Sequence, residues 1–338
     1  RMQCRQQQLV VARHRGAEAD ADHFTHDVGH DHIVPAGYAR SVSSAAPPRL
    51  RVGIVGAGRV GSVLGAALRR AGHEIVGVSA VSDLSRLRAD ALLPGVPVLP
   101  VPEVVSDADL VLLAVPDDVL PDLVRGMTET GGLHAGQFVA HPSGRYGIDV
   151  LEPATHAGAL GLAIHPVMTF TGTTVDLARL VDCPFGVTSD VSLRPVAEAL
   201  VVEMGGDPVW VPEEARGLYH AGIAFGANFM MTVVLQSLEL LRDAGMTDPQ
   251  RLMAPLLSAA LDNALTQGDT SLTGPVARGD ARTVALHLER LRVAAPHVVP
   301  VYTVLARLTA DRALAAGLLD ATAAEDLLAV LAIEGRHA

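Results

Sequence analysis

From Leu50 onward, short apolar runs alternate with stretches in which apolar residues recur every three or four positions. The runs Val52–Val55, Ile75–Ser79, Val98–Pro100, Leu110–Ala114, Phe138–Ala140 and Gly161–Ile164 predict strands, and the segments between them predict helices. This rhythm is that of an α/β protein with a doubly wound parallel sheet. Phe185–Thr188 and Pro208–Val211 are expected to complete the sheet around a helix over Leu193–Met204. Beyond Val211 the two-residue period disappears. Helices are expected over Glu213–Ala244, Pro249–Gln267, Asp280–Val293, Val298–Ala316 and Ala321–Glu334. The chain therefore reads as a Rossmann layer over residues 49–211 followed by an all-α domain over residues 212–338.

The first run leads directly into Gly56-x-Gly58-x-x-Gly61 and then into a helix predicted from Ser62 to Ala71. In that setting Gly56 permits the tight turn, Gly58 lets the backbone approach a pyrophosphate, and Gly61 allows the helix to pack closely. The helix N-terminus favours the anion, so Gly56, Ala57, Gly58, Arg59, Val60 and Gly61 are expected to hold NAD(P). The buried run from Leu110 ends in Val115-Pro116-Asp117-Asp118, at the sheet edge where open α/β sheets place ligands, so Val115, Pro116 and Asp117 should border the cofactor. About twenty residues after the glycines, no carboxylate stands ready for a ribose 2′-hydroxyl. Ser79, Ser82, Arg86 and Arg88 suit a 2′-phosphate instead, which favours NADP, with NAD kept open by Asp83.

Composition narrows the chemistry. The 338 residues are 49% hydrophobic, enough for a sizeable core in about two domains. All 26 basic residues are arginine, so a Schiff-base lysine and a lysine general acid are excluded, and proton transfer falls to His, Asp, Glu or Tyr. The net charge of −11 without a basic stripe argues against nucleic acid. Two cysteines, Cys4 and Cys183, imply no disulfide framework and fit a reducing cytoplasm. Residues 1–48 hold five of the fourteen histidines and few apolar runs; they read as a disordered tail without a secretory signal, and His23, His26, His30 and His32 lack the array of a metal site. No metal is expected. Gly217–Ser237 contains no Asp, Glu or Arg and meets the length of a membrane span, but His220, Asn228 and Gln236 within it point to a buried core helix and no membrane partner.

Several further motifs carry a resemblance: His141-Pro-Ser143-Gly144, Ile164-His-Pro-Val-Met-Thr-Phe170, Tyr219-His-Ala-Gly-Ile-Ala-Phe-Gly-Ala-Asn228 and Leu272-Thr-Gly-Pro-Val-Ala-Arg-Gly-Asp280. With the glycine motif and Val115-Pro-Asp117, they resemble the 6-phosphogluconate-dehydrogenase-like superfamily. More closely, the chain is similar to a bacterial Rossmann-like family with a C-terminal domain of unknown function, some members of which are an alternative type of ketopantoate reductase. The resemblance covers residues 50–295. It implies an NADPH-dependent reductase of a small 2-oxo acid, 2-dehydropantoate foremost, that forms a homodimer through the helical domain. Related enzymes carry a lysine followed by an asparagine on the first long helix, and here His220 takes the lysine's place. Asn228 lies eight residues on, about 80° around a helix, so both are expected in one pocket. His220 is the first candidate for protonating the alkoxide, Asn228 for positioning it.

His165-Pro-Val-Met168 also resembles a segment of prephenate dehydrogenases, which makes His165 the alternative acid and such an enzyme a rival reading, beside a pyrroline-carboxylate or imine reductase. A third class is an NAD(P)-binding sensor or scaffold without catalysis. The proline after His141 and after His165 predicts that each opens an exposed, extended loop. His141, Ser143, Thr273, Arg278 and Asp280 are expected around the substrate, with Arg278 clamping a carboxylate and Asp280 also suited to cap the helix that follows.

Overall fold

A computed structural model describes residues 49–332. The expected tail over residues 1–48, with its histidines and Cys4, lies outside the described residues, as do residues 333–338. The described strands are β1 (Arg51–Val55), β2 (Glu74–Ser79), β3 (Leu110–Leu113), β4 (Phe138–His141), β5 (Leu160–Pro166), β6 (Pro184–Ser189) and β7 (Asp207–Trp210). They form one sheet in the order β2-β1-β3-β4-β5-β6-β7. In β3, Leu110 and Leu112 enter one core while Val111 and Leu113 enter the other, because successive side chains leave opposite faces of a strand covered by helices on both sides. Helices α1 (Arg59–Arg70), α2 (Asp83–Leu92) and α7 (Arg194–Glu203) pack on the first face, and α3 (Val101–Ser106), α4 (Leu120–Glu129) and α5 (Glu152–His156) on the second.

Two strand expectations change. The strand over Val98–Pro100 shrinks to one parallel bridge, Val78↔Val98, at the sheet edge. Pro97 and Pro100 flank it and carry no N–H to extend a ladder, so the chain turns into α3 instead. The sheet is also not wholly parallel: β6 runs antiparallel to β5, and β7 parallel to β6. The connection from β5 holds only the five-residue helix α6 (Val175–Arg179) and returns at the edge it left, where the Val167 N–H bonds the Pro184 carbonyl.

The helical layer comprises α8 (Arg216–Ile223), α9 (Met230–Asp243), α10 (Pro249–Gln267), α11 (Gly274–Ala277), α12 (Ala281–Ala294), α13 (Val299–Ala315) and α14 (Ala321–Ala332). A π-helical stretch over Ala224–Phe229 joins α8 to α9, so the expected long helix is continuous but irregular in the middle. Helices α11 to α14 share a core around Val284, Leu288, Ala313 and Leu327. The expectation of a buried core helix over Gly217–Ser237 fails: in the run Glu213–Asp243, long and apolar enough to cross a membrane, only 6% of the most apolar window is buried within the chain. Its apolar side chains lack cover because α11 to α14 build their core among themselves.

Candidate functional site

The glycine loop forms as the sequence requires. Gly56 has φ 105°, and a Cβ there would lie 2.5 Å from the Ala114 carbonyl oxygen and 3.4 Å from Val115 Cγ1. A Cβ at Gly61 would meet the Gly56 carbonyl and Ala114 Cβ, so α1 rests directly on the loop. Gly58 caps α1 with no side-chain hydrogen bond, and nothing lies within 4 Å of the place where its Cβ would stand. No acid occupies the first turn of α1. Open amides at a helix N-terminus with no capping carboxylate form a cradle for an anion, and a dinucleotide pyrophosphate fits it.

Three residues expected around a 2′-phosphate have other partners. Ser79 is buried and its Oγ accepts from the Gly56 N–H at 3.0 Å, while its carbonyl accepts from Ala57 at 2.8 Å, so it braces the loop from beneath. Ser82 caps α2 in a reciprocal box with Ser85, and Arg86 pairs with Asp83 at 3.2 Å in the same turn. The fourth, Arg88, borders Gly172 together with the stem of Arg59. A Cβ at Gly172 would lie 2.8 Å from Arg59 Cγ and 2.9 Å from Arg88 Nε. The loop at Gly172 is held by Asp176, a fully buried carboxylate that accepts from the Thr171 and Gly172 N–H groups at 2.8 and 2.7 Å and from Thr171 Oγ1 at 3.0 Å. Asp176 was not singled out in the sequence; a threonine-rich turn followed by an aspartate was the only signal.

Further along the same edge stand the histidines. His141 ends β4, buried at 0% exposure; its Nε2 donates to the Gly147 carbonyl at 2.8 Å and its Nδ1 accepts from the Ser143 N–H at 3.2 Å. Burial pushes it down to about 4, against the bond to Gly147. With both nitrogens bound and no exposure it holds a loop. Ser143 is likewise buried, its Oγ accepting from the Tyr146 N–H at 3.3 Å. The expectation of an exposed loop at His141 is corrected, because both side chains are buried.

His165 lies inside β5, which extends to Pro166 because Pro166 pairs with Phe185 of β6. Its Nδ1 is 2.8 Å from the Tyr219 hydroxyl, and its ring meets those of Tyr219 and His220 edge-on at 5.7 and 6.5 Å. A Cβ at Gly144 would lie 2.8 and 2.9 Å from His165 Cε1 and Nε2 and 2.9 Å from His220 Cδ2, so both imidazoles close on that glycine. Burial, reinforced by the charges of Arg216 and His220 and opposed by Asp117, pushes His165 down to about 4. Asp117 thus reaches the histidines electrostatically from the loop after β3, beside Val115 and the exposed Pro116.

Arg216 and Tyr219 on α8 support this cluster, and sequence reasoning missed both. Arg216 is 2% exposed; its Nε donates to Thr188 Oγ1 at 2.7 Å and its Nη2 to the Gly186 and Ala163 carbonyls at 3.0 and 3.2 Å. Its guanidinium lies 5.5 Å from the Tyr219 ring centroid. The signal was present: Arg216 is the last charge before the uncharged run from Gly217.

The remaining candidates lie apart. Asn228 is exposed in the π-helical stretch, and no side-chain hydrogen bond ties it to His220 among the described residues. Thr273 and Arg278 are exposed beside α11, and Asp280 caps α12, accepting from the Thr283 N–H and hydroxyl at 3.0 and 2.6 Å. None of the three has a hydrogen bond or ring contact with the histidine cluster among the described residues. No group of acidic, His and Cys residues able to hold a metal occurs among the described residues.

Residues 37–166 match the Rossmann-like domain, and residues 183–309 match the domain of unknown function DUF2520. The second match begins at β6, where the sheet reverses direction, upstream of the boundary expected near residue 212. No curated protein matches the sequence. Among solved structures, one named as an NADP oxidoreductase, BF3122 of Bacteroides fragilis, is 23% identical with a TM-score of 0.66 over 78% of this chain and 98% of its own. Protein TM1727 of Thermotoga maritima is 22% identical, TM-score 0.58, over the same shares. An imine reductase variant of Myxococcus stipitatus bound to NAD+ is 18% identical, TM-score 0.54, over 83% of this chain and all of its own. At these identities the likeness is one of fold.

Proposed function

Because the chain joins a Rossmann-like domain to a DUF2520 domain, we propose that it is an NAD(P)-dependent reductase of a small carbonyl or imine acceptor, with NADP preferred. One observation carries the reading: a single sheet edge holds both the open glycine cradle and the His165–His220 pair, with Asp117 between them. The fold shared with a protein named as an NADP oxidoreductase and with an NAD+-bound imine reductase supports it. A bound nicotinamide dinucleotide supplies a hydride. The amides of Gly58 to Gly61 would hold its pyrophosphate, and Arg59 and Arg88, which border Gly172, would hold a 2′-phosphate where β2 offers no carboxylate. His220, half-buried at the rim, gives the proton to the carbonyl oxygen or imine nitrogen of the acceptor, and the uncharged His165 hydrogen-bonds that atom.

The finer reading is a 2-oxo acid, 2-dehydropantoate reduced to pantoate, which rests on the sequence motifs. Within one chain Arg278 stands outside the histidine cluster, so a carboxylate clamp from Arg278 requires a second copy. A homodimer supplies one: Phe225 and Phe229 on the π-helical stretch, Leu235 on α9, and Leu256 and Leu265 on α10 leave apolar surface that a partner's helices cover. NADPH and NADH oxidation with a panel of 2-oxo acids and cyclic imines tests the reading. Turnover of a 2-oxo acid supports the finer form, turnover of cyclic imines alone the broader one. Binding of NADPH without turnover of any acceptor replaces both with a sensor.

A further inference from the structure

His165 and Gly186 face each other across the antiparallel pair of β5 and β6. A Cβ at Gly186 would overlap the hydroxyl and ring of Tyr219, so only a glycine at that register lets Tyr219 reach over β6 to His165. From this arrangement we propose that Tyr219 is the positioning residue for His165: its hydroxyl donates to Nδ1, fixing the tautomer in which Nε2 carries the proton beside Gly144. The inference rests on the reductase reading for its consequence and on geometry alone for the tautomer.

The direction of the hydrogen bond follows from counting donors and acceptors. His165 Nδ1 is the only acceptor within reach of the Tyr219 hydroxyl among the described residues. If Nδ1 carried the proton, that phenol proton would have no acceptor among the described residues and Nε2 would be left a bare acceptor at the site; a polar group so stranded in a part-buried setting is costly. If Tyr219 donates, both groups are satisfied and Nε2–H is free to donate to an acceptor's oxygen.

Arg216 makes the arrangement one-sided. Its cation is anchored on three backbone or side-chain oxygens beneath the Tyr219 ring. The ionisable groups around His165 are Arg216, Tyr219 and His220 on α8, His141 on β4 and Asp117 after β3. Arg216, His220 and His141 oppose an imidazolium, and Asp117 alone favours one. Burial pushes the Tyr219 phenol upward, which keeps it a protonated donor. His165 is thereby a neutral N–H donor that need not change charge during a reaction.

The test is 15N NMR of the full chain labelled at histidine, with the His165 signals identified by their loss in His165→Gln. The expected result is a protonated Nε2 and an unprotonated Nδ1 from pH 6 to 8 in the wild type, and a mixture of tautomers in Tyr219→Phe. Turnover of Tyr219→Phe should fall about tenfold or more with NADPH affinity unchanged. A wild-type Nδ1–H tautomer, or a Tyr219→Phe variant with an unaltered His165 spectrum, overturns the proposal. The spectra need no substrate. A chain that reduces nothing yet shows the expected tautomers defeats the reductase reading and leaves the positioning intact.

Discussion

Arg59 and Arg88, on different helices, close on one point: a Cβ at Gly172 would lie within 2.9 Å of atoms from both. No salt bridge engages either of them among those found between described residues, whereas Arg86, two positions from Arg88, is paired with Asp83. Charge-assisted hydrogen bonds to a phosphate contribute about 1.5–3 kcal/mol each. Arg59→Ala and Arg88→Ala are each expected to weaken NADPH at least about tenfold and NADH far less. Fluorescence titration with both nucleotides measures it; equal losses for the two would remove the 2′-phosphate from this place.

Gly58 separates binding from folding. The space over it is open, so Gly58→Val is expected to leave the melting temperature of the free protein nearly unchanged while abolishing the rise that NADPH produces. A variant that retains the NADPH-induced rise would place the pyrophosphate elsewhere.

The imidazole pair is expected to react to Gly144. A methyl group there would press on His165 and His220 together, so Gly144→Ala should cut turnover about a hundredfold, as should His220→Gln. NADPH affinity should survive both. Normal turnover in a folded His220→Gln protein would shift the proton donor to His165 or to water.

Acid should destabilise the fold early. His141 and His165 are both held near 4 in the fold against 6.5 for a free histidine, so between pH 6.5 and 4 the unfolded chain binds more protons. The stability they contribute is complete above pH 6.5 and is lost as pH falls toward 4, at a limit of about 1.4 kcal/mol per pH unit for each. Urea denaturation of the wild type and of His141→Asn at pH 7 and pH 5 reads this directly. The variant should show the shallower loss; an equal loss in both would mean that His141 is not buried uncharged.

The exposed helices predict association. Phe229→Asp or Leu265→Asp, at positions 58% and 79% exposed in the single chain, should turn a dimer into monomers in sedimentation. A wild type that is already monomeric at micromolar concentration would leave that surface for another partner.

Much of the fold was legible because it is local. The two-residue alternation of Leu110 to Leu113 and the steric demands at Gly56 and Gly61 depend on neighbours in sequence or on the strand–turn–helix unit itself. The missed reversal at β6 and the loss of the strand at Val98 were decided by a short return connection and by missing proline N–H groups, which periodicity does not record. The site was less legible, and two of its histidines show why. His141 and His165 carry the same sequence mark, a histidine before proline at the end of an apolar run. Tertiary structure alone separates them: Gly147 and Ser143 occupy both nitrogens of His141, while Tyr219 takes only one nitrogen of His165 and is admitted by the bare backbone at Gly186. The sequence determined which side chains were present at the sheet edge. Which of them kept a nitrogen for chemistry was decided by hydrogen-bond partners from distant segments, since a donor or acceptor satisfied inside the fold is no longer available to a substrate.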